Sequence, residues 1–329
     1  MNELELLRKV LPRLSPNVLT GNEDAVAWLS SEHPGTFTVV NVDSIAWSTD
    51  ALPTVEFTLE SFGRKCVAVT ISDLCAKGVV PTFFLCAINV ALTDTAEMTE
   101  RIIDGMLDAC REFDVAYIGG DLGKSKEITL TGVAVGFGNS LMKRNGCRPG
   151  DDLWVTGTFG WTGLAYAEAF EGITLAKDVY QEVHQKILCP MPRIRAGVLL
   201  RGIASSCIDS SDGLAISLHH LATESEMDIF LEKLPVDAKI DAEIDMNSLD
   251  RTKTVCYAGE ELELVFSASP SNQKRIQKVF ETAGMPAPIK IGTAKSCSSG
   301  KPTVVDRTGK IEQPLHAQGW DIFKNQPKA

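Results

Sequence analysis

Apolar residues in this chain switch repeatedly between a strand period and a helix period, and that interleaving limits the fold more than any single motif. Phe37 to Val42 and Phe83 to Leu92 read as strands, Val26 to Leu29 as a shorter one, and residues 128–137 alternate as another. Between them Val55 to Lys77 has a helical period, and Thr95 to Phe113 puts Met98, Ile102, Met106, Cys110 and Phe113 on one face. An amphipathic start with Leu4, Leu7, Val10 and Leu11 predicts an opening helix. The second half repeats the mixture, with helices at 162–171, 178–188, 193–203 and 271–283 and strands at 229–232, 262–267 and 288–291. Arg148-Pro149-Gly150-Asp151-Asp152 reads as a hinge between the halves. The expectation is an α/β fold with mixed sheets (α+β in character), in two domains covering 1–147 and 148–329. The last ~25 residues are polar and turn-rich, a tail with one anchor near Trp320.

Charge narrows the partners. The 329 residues carry 43 acidic against 32 basic side chains, net −11, which disfavours a surface that grips nucleic acid or anionic lipid. Such a chain binds a nucleotide only through metal ions or a local Arg or Lys. The nine cysteines form no C-x-x-C pair and mostly sit in apolar runs, so they read as reduced thiols. No signal-peptide pattern and no membrane-length apolar run occur. A cytoplasmic, soluble protein is expected, with neither nucleic acid nor membrane as partner.

Two near-motifs are set aside. Gly119-Gly120-Asp121-Leu122-Gly123-Lys124-Ser125 ends like a P-loop, but Ile118 stands where the first glycine belongs and a strand, not a helix, follows. Gly136-Phe137-Gly138 lacks the third glycine of a dinucleotide fingerprint. No G-x-S-x-G elbow occurs, and His219-His220 has no zinc-site context.

What remains is a set of aspartates at the ends of apolar elements: Asp24, Asp43, Asp73, Asp121, Asp209 and Asp212. Oxygen-only ligands on several loops suit a hard cation such as Mg²⁺, which takes one or two carboxylates and completes its shell with water and phosphate. The densest stretch is Ile208-Asp209-Ser210-Ser211-Asp212-Gly213-Leu214, which precedes Leu214, Leu218 and Leu221 at helical spacing. Ser211 or Asp212 is expected to cap that helix. A capped turn and a metal–phosphate corner both fit.

The order Gly-Asn-Glu-Asp-Ala (21–25), Asn-Val-Asp-Ser (41–44), Ile-Ser-Asp-Leu-Cys-Ala-Lys-Gly (71–78), Ile-Gly-Gly-Asp (118–121), Arg-Asn-Gly-Cys-Arg-Pro-Gly-Asp (144–151), Ile-Asp-Ser-Ser-Asp-Gly-Leu (208–214) and Gly-Glu-Glu-Leu-Glu-Leu (259–264) resembles the thiamine-monophosphate kinase family. That family belongs with aminoimidazole ribonucleotide synthetase, selenophosphate synthetase and the hydrogenase-maturation dehydratase. The resemblance implies a two-domain aminoimidazole ribonucleotide synthetase-like architecture, whose N-terminal domain holds ATP and metal and pairs into a homodimer. It implies ATP as co-substrate and several Mg²⁺ ions in place of a P-loop. Carried over by motif, the six aspartates match metal ligands, Asp209 and Asp43 being central to catalysis. Gly120, Asp121, Arg144 and Ser211 match ATP contacts, and Glu261 and Trp320 fall on the acceptor side.

Departures fall among the metal-binding motifs and on that acceptor side. Asn22-Glu23-Asp24 stands for Gly-Asp-Asp, Asn41-Val42-Asp43 for Ser-Thr-Asp, Asp50 for a histidine, and Ala258-Gly259-Glu260-Glu261 for Gly-Gly-Glu-Asp. The implied reaction is phosphoryl transfer from ATP to thiamine monophosphate, giving the diphosphate. A related kinase acting on another small molecule such as a nucleoside or an α-ribazole-like ligand, an ATP-dependent synthetase, and a non-catalytic nucleotide sensor stay open as alternatives.

Overall fold

The computed structural model describes residues 23–29 and 35–319; the expected opening helix, Asn22 and the Trp320 anchor lie outside them. In chain order the first half runs β1 (Val26–Leu29), β2 (Phe37–Ala46), α1 (Trp47–Asp50), α2 (Leu59–Ala76), β3 (Val80–Val90), α3 (Ala96–Phe113), β4 (Ala116–Lys124) and β5 (Thr129–Gly138). The second half runs β6 (Asp152–Val155), α4 (Trp161–Glu171), α5 (Lys177–Leu188), α6 (Ile194–Leu200), β7 (Ser206–Asp209), α7 (Leu214–Ser225) and β8 (Met227–Leu231). It continues with α8 (Ala238–Met246), α9 (Arg251–Cys256), β9 (Leu264–Ala268), α10 (Gln273–Thr282), β10 (Ile289–Ser296), β11 (Val304–Asp306) and β12 (Gln313–Pro314).

Each half has its own mixed sheet. The first is ordered β1-β2-β5-β3-β4, antiparallel except for the parallel β3–β4 pair. The second is ordered β12-β11-β8-β10-β6-β9-β7, with β11–β8 its parallel pair. Mixed pairing follows from the irregular alternation of strand and helix along the chain.

The element that ties the halves together is α2. Its start is set by Thr58, whose side chain accepts from the Ser61 N–H while the Ser61 hydroxyl accepts from the Thr58 N–H. This capping box begins the helix at Leu59, four residues later than the apolar period suggests. Phe62, Val67, Ile71 and Leu74 pack with Phe84, Ile102 and Met106 under the first sheet. Cys75 and Ala76, the next two residues, pack with Leu200, Phe266 and Phe280 of the second half. One buried helix therefore carries its last polar residues to the junction of both sheets.

Two local expectations change. The helix after Asp209 is not capped by Ser211 or Asp212: Gly213 holds the cap position at φ 109°, ψ 154° and no side chain caps it. Backbone pairing with the 260–263 segment draws residues 210–212 aside, Glu260 N donating to Ser211 O (2.7 Å) and Ser210 N to Glu263 O (2.9 Å). Within the described residues, 304–315 are no loose tail, since β11 and β12 extend the second sheet and Leu315 is buried. The 148–152 turn is tied down too, with Asp151 and Asp152 buried and Gly150 N donating to Ala294 O (2.8 Å). No described helix is long and apolar enough to cross a membrane, and all nine cysteines are free thiols, seven of them buried.

Candidate functional site

Asp24, Asp73 and Asp209 converge at the end of α2. Each offers a carboxylate oxygen, and these oxygens lie within 4.8 Å of one another. Asp24 precedes β1, Asp73 is in the last turn of α2, and Asp209 is the final residue of β7. Residues 137 positions apart meet because α2 packs beside β7, and the Ser72 hydroxyl donates to Asp209 Oδ2 at 2.7 Å. Asn41 on β2 donates to Thr70 O at 3.1 Å and to Asp73 Oδ2, orienting the Asp73 carboxylate.

The three carboxylates are electrostatically unequal. Burial would raise Asp24, but Arg144 and Lys77 hold it down to about 2. Arg144 donates to Asp24 through Nε at 2.8 Å and through its terminal nitrogen, while Lys77 Nζ lies 2.8 Å from Asp24 Oδ2 and also pairs with Glu23. Asp73 is pushed well above the carboxylate range by burial and then by the charges of Asp209, Asp24 and Asp43. Burial and the Asp24 charge raise Asp209 to about 7, with Asp212 adding a smaller push.

Like charges forced together in a dry pocket are unfavourable without a cation. The donors are all oxygens, and beside Asp209 the Ser210 hydroxyl is buried with no hydrogen-bond partner. Such a donor set fits a hard divalent ion.

The other expected residues distribute around this corner. Asn41 and Asp43 share the pleat of β2 that faces α2, and the next residue, Val42, points outward with 60% exposure. Val42 therefore takes no side-chain oxygen away from the inner face. Asp43 is raised by burial and by the charges of Asp50 and Glu260. Across the sheet Asp43 registers with Gly132, Gly132 with Cys86, and Cys86 with Gly120. Gly120 has a structural reason of its own, because a Cβ there would fall 1.8 Å from Cys86 O. Asp121 is exposed on β4, one residue out of that row, and is not among the three converging carboxylates. The strand through Lys124 followed by β5 bears out the rejection of a P-loop.

Asp50 ends α1, where it accepts from Ala46 N at 2.9 Å. Glu261 is half-buried at the start of α4, accepting from Gly160 N (2.8 Å) and from Thr162 N and Oγ1 (3.1 Å each). Burial outweighs those contacts and raises it to about 7. Ser211 is exposed on the stapled 210–212 segment.

Sequence reasoning missed the buried bases. Lys65, 1% exposed, reaches Glu260 Oε1 and Asp50 O, each at 2.7 Å. Lys77, fully buried, joins Glu23 and Asp24, and Arg193 clamps buried Glu263 with Nε at 2.8 Å. The available signal was a lysine at a core-facing position of an apolar helix, where an unpaired charge is not tolerated.

Residues 23–137 match the model of the AIR synthase related protein, N-terminal domain. Fold and match together define the class, a two-sheet α/β protein of the AIR synthase-related type. The chain is 30% identical over 291 residues to a thiamine-monophosphate kinase of Nitrosopumilus maritimus, covering 87% of this chain and 89% of the relative. It is 27% identical over 326 residues to one of Pyrococcus horikoshii, covering 98% and 97%. A solved structure, AaThiL complexed with AMPPCP and TMP, shares the fold with a TM-score of 0.81 at 22% identity, over 98% of this chain and 97% of that one. The chain belongs to the thiamine-monophosphate kinase family.

Proposed function

We propose that the protein is a phosphotransferase that moves the terminal phosphoryl group of ATP to thiamine monophosphate. The observation that carries this reading is the convergence of Asp24, Asp73 and Asp209 in a chain whose family is that of the kinase. A relative of the same fold is described with AMPPCP and TMP, an ATP analogue and the acceptor. Bound at this corner, Mg²⁺ would screen phosphate charge and align the two anionic substrates.

The protein's own residues prepare that alignment. Asn41 and Ser72 fix Asp73 and Asp209 so that their oxygens face one another. In this reading Asp43 and Asp212, whose charges act on Asp73 and Asp209, add to the metal-holding carboxylates, and Gly120, Asp121, Arg144 and Ser211 make up the nucleotide contacts. The acceptor phosphate is already ionised at neutral pH, so no strong general base is needed; positioning and electrostatics carry the rate. Asp50 and Glu261, with Trp320, form the acceptor side of this reading, and the Lys65–Glu260 pair holds residues 50 and 260 together.

We propose also that the protein acts in the cytoplasm as a homodimer. The outer face of the first sheet exposes Val26, Trp28, Val42 and Phe137 on neighbouring strands, an apolar surface suited to a second copy.

The test is ADP release from Mg²⁺-ATP with thiamine monophosphate, thiamine, pyridoxine and nucleosides offered separately. Turnover is expected with thiamine monophosphate. Turnover with another acceptor alone would keep the transfer and replace the substrate, whereas tight ATP binding with no turnover on any acceptor would make the protein a sensor.

A further inference from the structure

Gly319, the last described residue, ends a strap that begins at β12 and lies along α7. Its entry is fixed in the second sheet. Leu315 N donates to Val304 O at 2.9 Å, and the Leu315 side chain, 2% exposed, shares a core with Leu214 and Leu218 of α7. One turn along that helix, His219 Nε2 lies 2.7 Å from Leu315 O. A carbonyl oxygen only accepts, so Nε2 carries the proton and donates it. Burial disfavours the charged imidazolium and lowers the His219 pKa, so the ring makes this contact in its neutral form.

Beyond Leu315 the strap is lightly held. Residues 316–318 are exposed and turn on themselves, Gln318 N donating to His316 O at 2.8 Å. At Gly319 the backbone comes down onto the start of α7. A Cβ there would fall 2.1 Å from Asp212 O and 2.6 Å from Ile216 Cγ1, too close for any side chain. The acceptor-side loop rests on the same corner. A Cβ at Gly259 would fall 2.3 Å from Ser211 O, and Glu260 and Glu261 follow it directly. The strap and the loop therefore sit on adjacent residues, and the His316 N–H faces the Tyr257 hydroxyl at the head of that loop.

We propose that His219 is a positioning residue for the acceptor: by holding Leu315 O it latches the strap whose end, Gly319, walls the acceptor side. The inference rests on the acceptor reading above, in which Trp320 follows Gly319 in the chain. His219 touches no substrate in this scheme and acts only through the strap.

Steady-state ADP release, with each substrate varied in turn, separates this role from a merely structural one. His219→Leu removes the donor and keeps an apolar body. It is expected to raise KM for thiamine monophosphate at least about fivefold, with kcat and KM for ATP each within about twofold. His219→Gln, whose amide still offers an N–H to Leu315 O, is expected to stay within about twofold of wild type in all three. Gly319→Ala is expected to give the same split as His219→Leu, because the exposed 316–318 turn yields before the packed start of α7. Loss of folded protein alone would lower kcat and leave both KM values in place. An unmoved KM for thiamine monophosphate in His219→Leu, or equal rises for both substrates, overturns the proposal. A split that His219→Gln does not relieve overturns the hydrogen bond as the latch. If His219→Leu does not fold, Gly319→Ala decides by the same criterion. A wild-type chain that transfers nothing to thiamine monophosphate overturns the acceptor reading, and this inference with it.

Discussion

At the residue scale the carboxylates show how function opposes stability. Asp73 and Asp209 are buried beside like charges, and both are raised for that reason. Replacing Asp209 by asparagine keeps the acceptor for the Ser72 hydroxyl and removes one of the repelling charges. In metal-free buffer at neutral pH, Asp209→Asn is expected to raise unfolding stability by on the order of 1–3 kcal/mol, while phosphoryl transfer is abolished. Thermal melts with a chelator, paired with ADP release, measure both. Near-normal turnover in this variant would remove Asp209 from the site. The aspartates themselves were legible in the sequence because they recur at the ends of apolar elements. Their unequal environments were not, because Lys77 and Arg144 reach Asp24 across 53 and 120 residues of chain.

At the element scale, segment 258–263 is a loop held from both sides. Glu260 and Leu262 adopt positive φ values of 67° and 52°, a conformation that branched and bulky residues avoid. Lys65 anchors Glu260, and the start of α4 anchors Glu261. The Glu261 carboxyl, at 4.5 in the open chain, stands at about 7 in the fold because burial disfavours its charge. A raised folded value means the folded state holds the proton more tightly. Its contribution is full below about 4.5 and is lost as pH rises through about 7, up to about 3 kcal/mol. Glu261→Gln should flatten the stability profile between those values, and urea titrations across that pH range check it. An unchanged slope would mean that Glu261 is not the group titrating. The helix periods of α2, α3 and α5 could be read directly, whereas the short α8 and α9 could not, since six to nine residues carry too little period to separate from a loop.

At the scale of the whole molecule, the first sheet has a face covered by α2 and α3 and a face that is apolar and open. Val42 is 60% exposed and Phe137 46%, on strands that flank one another in the sheet. In the homodimer proposed above, placing a charge there, as in Val42→Asp, is expected to shift the protein from dimer to monomer without unfolding it, as measured by light scattering coupled to gel filtration. A dimer of unchanged stability would assign the contact to another surface. Val42 also illustrates how a substitution misleads when read along the chain alone. Set between Asn41 and Asp43 it looks like a lost ligand, but the pleat turns it to the opposite side of the sheet.

The sequence by itself determined the class of fold, the absence of a P-loop and the family, because periodicity, turn chemistry and motif order are local properties of the chain. It also named six aspartates, the three that meet among them. Tertiary structure alone decided which carboxylates meet and which cations already hold them. It put Gly213 at the cap position while Ser210 and Ser211 pair with the 260–263 segment, and it buried Lys65 and Lys77 against acids far along the chain. Charge pairing and desolvation depend on distances in space, and those distances are set only when α2 is packed between the two sheets. The corner at the end of that helix is where the local and the distant information meet.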